Sequence, residues 1–226
     1  LNNLHSTEQL SFSKGISMNI LSINIGSART ITRKGVERVT GIYKNPVEGP
    51  VGLTTDGLAG DVIVDKKHHG GPDQAVYIYG QVDYDYWTES LGETLPPGTF
   101  GENLTISGLA SADYNVGDTL QIGSSVLQVT APRIPCATLS ARMGDSQFVK
   151  KFRQAERPGM YCRVLETGLI QAGDRVRVVP YTGETISLIE MYRDAFDPDT
   201  SPAALRRFLA APIDIRSRQA KEMLLD

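Results

Sequence analysis

Cysteine and histidine are scarce in these 226 residues, which hold only Cys136, Cys162, His5, His68 and His69. Two cysteines argue against a disulfide framework and for a reducing compartment. They also leave little material for a protein-built metal cage. Zinc asks for three or four such ligands, and neither an HExxH nor a CxxC spacing occurs. No apolar run reaches the roughly 18 to 20 residues that span a bilayer, so no membrane partner is expected and cytoplasm is the expected compartment. An excess of positive charge is missing as well. Lys and Arg number 23 against 26 Asp and Glu, a net charge of −3, without the clustered basic footprint of nucleic-acid binding. A Walker loop, a strand-linked GxGxxG and a GxSxG elbow are all absent. Nucleotide hydrolysis, nicotinamide binding and serine-esterase chemistry therefore have no motif behind them.

Glycine and proline are plentiful, at 22 and 12 residues, and they punctuate many short alternating runs. Residues 1–17 have neither the apolar centre nor the cleavage pattern of a secretory signal; they read as an N-terminal extension or an expression remnant. From Met18, Met-Asn-Ile-Leu-Ser-Ile-Asn-Ile alternates with the period of a half-buried strand. Strands are likewise predicted at Arg38–Tyr43, Gly52–Leu53, Ala75–Tyr79, Asn103–Ile106, Thr119–Ile122, Val126–Thr130, Met160–Val164 and Arg175–Val179. Helical spacing interrupts them at Gln81–Leu91 and Ser146–Gln154. Regular alternation of strands with long helices is missing, so a mainly β fold is expected, a closed β-barrel over residues 18–180 with a few inserted helices. Beyond Pro180 the spacing turns helical, and Ser201-Pro202 has the form of an N-cap with proline at the first helical position. Residues 185–226 are expected to form a small three-helix unit that must pack on the barrel to be stable.

The chemistry-bearing residues fall in three segments. Cys136 ends Ala131-Pro-Arg-Ile-Pro-Cys. The two prolines stiffen that approach and hold the thiol in one direction, and Arg133 is placed to stabilise a thiolate, the form that reacts and binds metals. The alternative is a core-filling cysteine, as Cys162 is read to be. Lys66-Lys67-His68-His69-Gly70-Gly71-Pro72 is a basic, glycine-rich turn that either presents donors to an anionic ligand or is a solvated turn whose glycines permit unusual angles. In Gly98-Thr-Phe-Gly-Glu-Asn, Glu102 is a candidate for proton transfer and Asn103 for orienting a ligand, with turn and strand-entry roles as the alternative.

Taken in order, Lys67 to Tyr77, Gly98 to Leu104, Pro132 to Cys136, Gly159 to Val164 and Gly173-Asp174 resemble the MOSC domain family, in particular its YiiM-like branch. The resemblance covers about Met18 to Pro180, and the tail is similar to the 3-alpha unit that closes such proteins. It implies a pyruvate-kinase-like β-barrel and a molybdenum cofactor (molybdopterin), with Cys136 as the metal's protein ligand. On the same footing His69 and Glu102 join Cys136 as catalytic candidates, and Lys67, His68, Gly70, Gly71, Asn103 and Arg133 as cofactor-binding ones. Lys66, Lys67, Arg133, Arg142 and Arg157 are all available to hold a pterin phosphate. The implied activity is reduction of small N-hydroxylated compounds, such as hydroxylaminopurines, to amines, with electrons from a separate reductase. A side chain cannot supply those electrons repeatedly, so a cofactor must carry that step. The second expectation is a carrier that holds a persulfide on Cys136 and hands it on. Pyridoxal phosphate is not expected, since it belongs to a desulfurase domain that this sequence does not contain.

Overall fold

The computed structural model describes residues 17–33, 35–64 and 70–225. Its first six strands are β1 (Met18–Gly26), β2 (Arg29–Arg33), β3 (Val36–Thr40), β4 (Lys44–Val47), β5 (Val51–Thr54) and β6 (Gly57–Leu58). After these come β7 (Val76–Gly80), helix α1 (Gln81–Leu91), β8 (Leu104–Ile106), β9 (Thr119–Ile122) and β10 (Ser125–Pro132). Helices α2 (Ala137–Met143) and α3 (Phe148–Ala155) precede β11 (Met160–Glu166), β12 (Gly168–Ile170) and β13 (Arg175–Val179). Three helices end the described chain: α4 (Leu188–Asp194), α5 (Pro202–Ala210) and α6 (Ile215–Leu225).

Seven strands close into a barrel in the order β13-β9-β10-β11-β7-β8-β1, with β1 returning to β13 through Met18 opposite Val176. All neighbours are antiparallel except β7 and β8. A parallel pair needs a crossover, and α1 with the loop after it provides one. β4 pairs with the C-terminal half of β1, while β2 and β3 form a hairpin of their own and β12, β5 and β6 a small third sheet. The predicted strand at Arg38–Tyr43 is therefore the second arm of that hairpin, ending at Thr40, and the chain is irregular from Gly41 to Tyr43.

In β1 the register against β8 shifts between Ile20 and Ser22. This bulge turns Leu21 outwards and brings both Ser22 and Ile23 inside. Strict alternation, as the sequence has it, breaks there. The core is aromatic beneath α1 and α3. Trp87 and Phe152 stack at 5.9 Å and Tyr79 and Phe100 at 4.5 Å between ring centroids. The Trp87 indole donates to the Tyr79 hydroxyl at 2.8 Å, which donates to the Arg157 carbonyl at 2.9 Å. Both polar handles are thus satisfied inside the core.

The C-terminal helices start where their caps dictate. Ser187 accepts from the Glu190 amide at 3.0 Å, the Ser-x-x-Glu arrangement of a capping box. Ser201 accepts from the Ala204 amide, with Pro202 at the first helical position. α4 packs on β10. Among the described residues no helix is long and apolar enough to cross a membrane.

Candidate functional site

The connections at one end of the barrel surround a cavity of about 790 Å³. Its described wall includes Arg38 from the β2–β3 hairpin, Lys44, Gly70, Gln74, Tyr77, Gly101, Asn103, Tyr161 and the run from Pro132 to Cys136. Cys136 is half-buried. Strand β10 ends at Pro132, three residues carry the chain across the cavity floor, and Cys136 takes an extended conformation (φ −125°, ψ 166°) at the N-cap of α2. Its carbonyl accepts from the Leu139 amide at 3.0 Å. The prolines at 132 and 135 favour that extended approach. Helix α2 itself carries no sequence signal strong enough to predict it.

Arg133 is buried beside the thiol, with its guanidinium 5.0 Å from the Tyr77 ring centroid and one nitrogen donating to the Phe100 carbonyl. Among the described residues its Nε has no hydrogen-bond partner, and neither has Oε1 of Gln74. Buried polar groups left unpaired are costly, so an orphan donor and an orphan acceptor on one cavity wall are features a ligand would satisfy. Burial raises the phenols of Tyr77 and Tyr161 above their ordinary values, which keeps both neutral. Tyr77 donates to the Pro158 carbonyl at 2.8 Å.

Asn103 lies on the wall. Its Oδ1 accepts from the Tyr77 amide at 3.0 Å and its Nδ2 donates to Asp61 at 2.9 Å. Asp61 forms an ion pair with Lys44, another wall residue. Burial lowers the Lys44 pKa, against the pull of Asp61. Neither partner stands out in the sequence, because nothing local tells that residues 17 positions apart will be paired.

Glu102 is completely buried and does not line the cavity. Its Oε1 accepts from the Tyr84 hydroxyl and the Gly98 amide, both at 2.6 Å, and from the Thr105 hydroxyl at 2.9 Å. These bonds tie the carboxyl group to the loop that delivers Asn103. Gly70 is on the wall with φ 75°, and Gly71 beside it has φ 86°. Lys66, Lys67, His68 and His69 lie outside the described residues. Arg142 and Arg157 point elsewhere than the wall: Arg142 covers the Tyr43 ring at 4.7 Å, and Arg157 pairs with Asp83 at 3.0 Å. Among the described residues no group of three or more His, Cys, Asp or Glu side chains is arranged to hold a metal ion. The wall offers instead one thiol with cationic neighbours.

The chain is similar to known proteins over most of its length. The chain is 34% identical over 191 residues to the uncharacterized protein YflK of Bacillus subtilis, covering 84% of this chain and 86% of that one. It is 33% identical over 157 residues to a protein named reductase from Gibberella moniliformis, covering 65% of this chain and 27% of that longer protein. In three dimensions it is similar to the crystal structure of YiiM from Geobacillus stearothermophilus, with a TM-score of 0.76 and 28% identity over 92% of this chain and 100% of that one. The family model of the MOSC domain matches residues 65–177, the stretch that carries Gly70, Tyr77, Asn103, Arg133 and Cys136. On these grounds the chain belongs to the MOSC domain family.

Proposed function

We propose that this chain binds a molybdenum cofactor in the Cys136 cavity and reduces N-hydroxylated compounds to amines. Membership of the family supports a molybdenum-cofactor-associated function in general, and the reductase-named relative supports an oxidoreductase. The observation that carries the reading is the setting of Cys136. It stands on a wall that includes Arg38, Lys44 and Arg133 and, among the described residues, no carboxylate. Such a surface suits an anionic, phosphate-bearing ligand with a soft metal at the thiol end.

The residues fit that group. A cavity of about 790 Å³ is within the range that encloses small ligands and cofactors. Arg133 Nε and Gln74 Oε1, which have no partner among the described residues, offer a donor and an acceptor to a heterocycle edge. Cys136 would hold the metal, and Arg133 and Arg38 would take the ligand's negative charge. When bound, the cofactor supplies the two-electron change that removes oxygen from nitrogen. The overall conversion takes up two electrons and two protons and releases an amine and one water, the electrons coming from a separate reductase. Asn103 is fixed by Tyr77 and Asp61, so it would orient a polar substrate group without reorganising.

Molybdenum content and turnover of a hydroxylaminopurine, measured for wild type and Cys136→Ser from a cofactor-competent host with dithionite as electron source, test the reading. Metal and turnover are expected in the wild type, and loss of turnover with the fold retained in the variant. A thiol-labile extra sulfur atom on Cys136 without molybdenum would replace it with the sulfur-carrier reading.

A further inference from the structure

One wall of the cavity is braced from the C-terminal helices. Gly70 and Gly71 both take left-handed angles, and two successive glycines have no side chains to select such a geometry. Hydrogen bonds must do it. The Gln74 amide donates to the Gly71 carbonyl at 3.0 Å. The Gly70 carbonyl accepts from Nη2 of Arg216, also at 3.0 Å. Arg216 is the second residue of α6 and also lies close enough to Tyr161, on the cavity wall, for its charge to favour the phenolate.

The neighbouring bonds tie the same two segments together. The Ile215 amide donates to Oδ2 of Asp73 at 2.7 Å, and Oδ1 of Asp73 pairs with Arg163 at 2.9 Å. Arg163 in turn donates to the Pro212 and Ile213 carbonyls. Thr130 links both sides, its hydroxyl donating to the Asp73 carbonyl at 2.5 Å and its own carbonyl accepting from the Asp214 amide at 3.2 Å. The first turn of α6 and residues 70–74 are thus one hydrogen-bonded unit. Gly70 and Gln74 are its cavity face.

We propose that Arg216 is a positioning residue of the cavity: by holding the Gly70 carbonyl it fixes the Gly70–Gln74 turn against which the ligand packs. The C-terminal helices are then part of the site. The geometry stands by itself, while the consequence for ligand retention rests on the cofactor reading above.

Peptide-level hydrogen exchange on the full-length, cofactor-free protein tests this, with wild type, Arg216→Ala and Arg216→Lys. Alongside it, molybdenum retention through gel filtration is measured on loaded protein. In Arg216→Ala, exchange in residues 70–80 rises by about tenfold or more while α5 stays within about twofold of wild type, and bound molybdenum is lost several-fold faster. Arg216→Lys, with a single point donor in place of the fork, lies between the two. It also decides the matter should the alanine variant not fold. Unchanged exchange in residues 70–80, or a rise confined to α5 and α6, overturns the proposal, as does a loosened turn that leaves retention intact. If the wild type holds no molybdenum, the cofactor reading fails while exchange still decides whether Arg216 braces the turn.

Discussion

Lys44 and Asp61 form an ion pair whose side chains are 7% and 4% exposed, with Lys44 on the cavity and Asp61 turned towards β1. Asp61 also accepts from the Gly26 amide at 2.8 Å and from Asn103 at 2.9 Å. One carboxylate therefore holds the β1 end, the lysine and the ligand-facing asparagine together.

Removing that charge leaves Lys44 buried without a counterion. Breaking a buried pair from one side costs about 3 to 5 kcal/mol, so Asp61→Asn is expected to lower the urea midpoint by a matching amount. Adding Lys44→Met recovers part of the loss, because the stranded charge is gone while the asparagine keeps only one of the two oxygens that accept from Gly26 and Asn103. A double-mutant cycle by denaturant titration measures the coupling.

Glu102 predicts a pH dependence. Burial raises its pKa, and the hydrogen bonds from Tyr84, Gly98 and Thr105 oppose this without cancelling it. The native state then binds that proton more tightly than the unfolded chain. The stability it contributes is whole below the ordinary glutamate value and is lost as pH rises through the folded value. Glu102→Gln keeps an acceptor for the Tyr84 and Gly98 donors and cannot ionise, so unfolding free energy against pH is flatter in the variant. The flattening is partial, because burial raises Asp83 in the same direction. Urea titrations across the acidic range check both points.

The two cysteines are expected to react very differently. Cys162 is fully buried in β11 and its thiol is pushed up by burial, whereas Cys136 is half-buried on the cavity wall. In native, cofactor-free protein, iodoacetamide should modify Cys136 about a hundredfold faster or more. In denaturant the rates converge. Peptide mass spectrometry over a time course reads the ratio.

Much of this was legible in the sequence wherever the cause is local. The helix at Gln81–Leu91 has the bounds its spacing predicts, Ser201-Pro202 caps a helix, and the prolines around Cys136 set its extended approach. What escaped depends on distant partners. Glu102 and Asn103 are adjacent, yet one is turned inward by Tyr84 and the Gly98 amide and the other reaches the cavity; only the barrel closure decides which. Lys44 and Asp61, and Arg216 against Gly70, meet across loops whose ends the sequence does not bring together. The alternation of β1 is local to its sequence, but the bulge after Ile20 is a property of its pairing with β8. Of the β2–β3 hairpin the sequence marks only part of the second arm, since β3 is exposed along most of its length and has no buried face to impose a period.

The most direct test of the central claim is X-ray absorption at the molybdenum edge on protein loaded in a cofactor-competent host, wild type against Cys136→Ser at equal metal content. With Cys136 as the metal's ligand, one sulfur fewer is expected around molybdenum in the variant, with the remaining coordination unchanged. Identical sulfur coordination in the two proteins would contradict it.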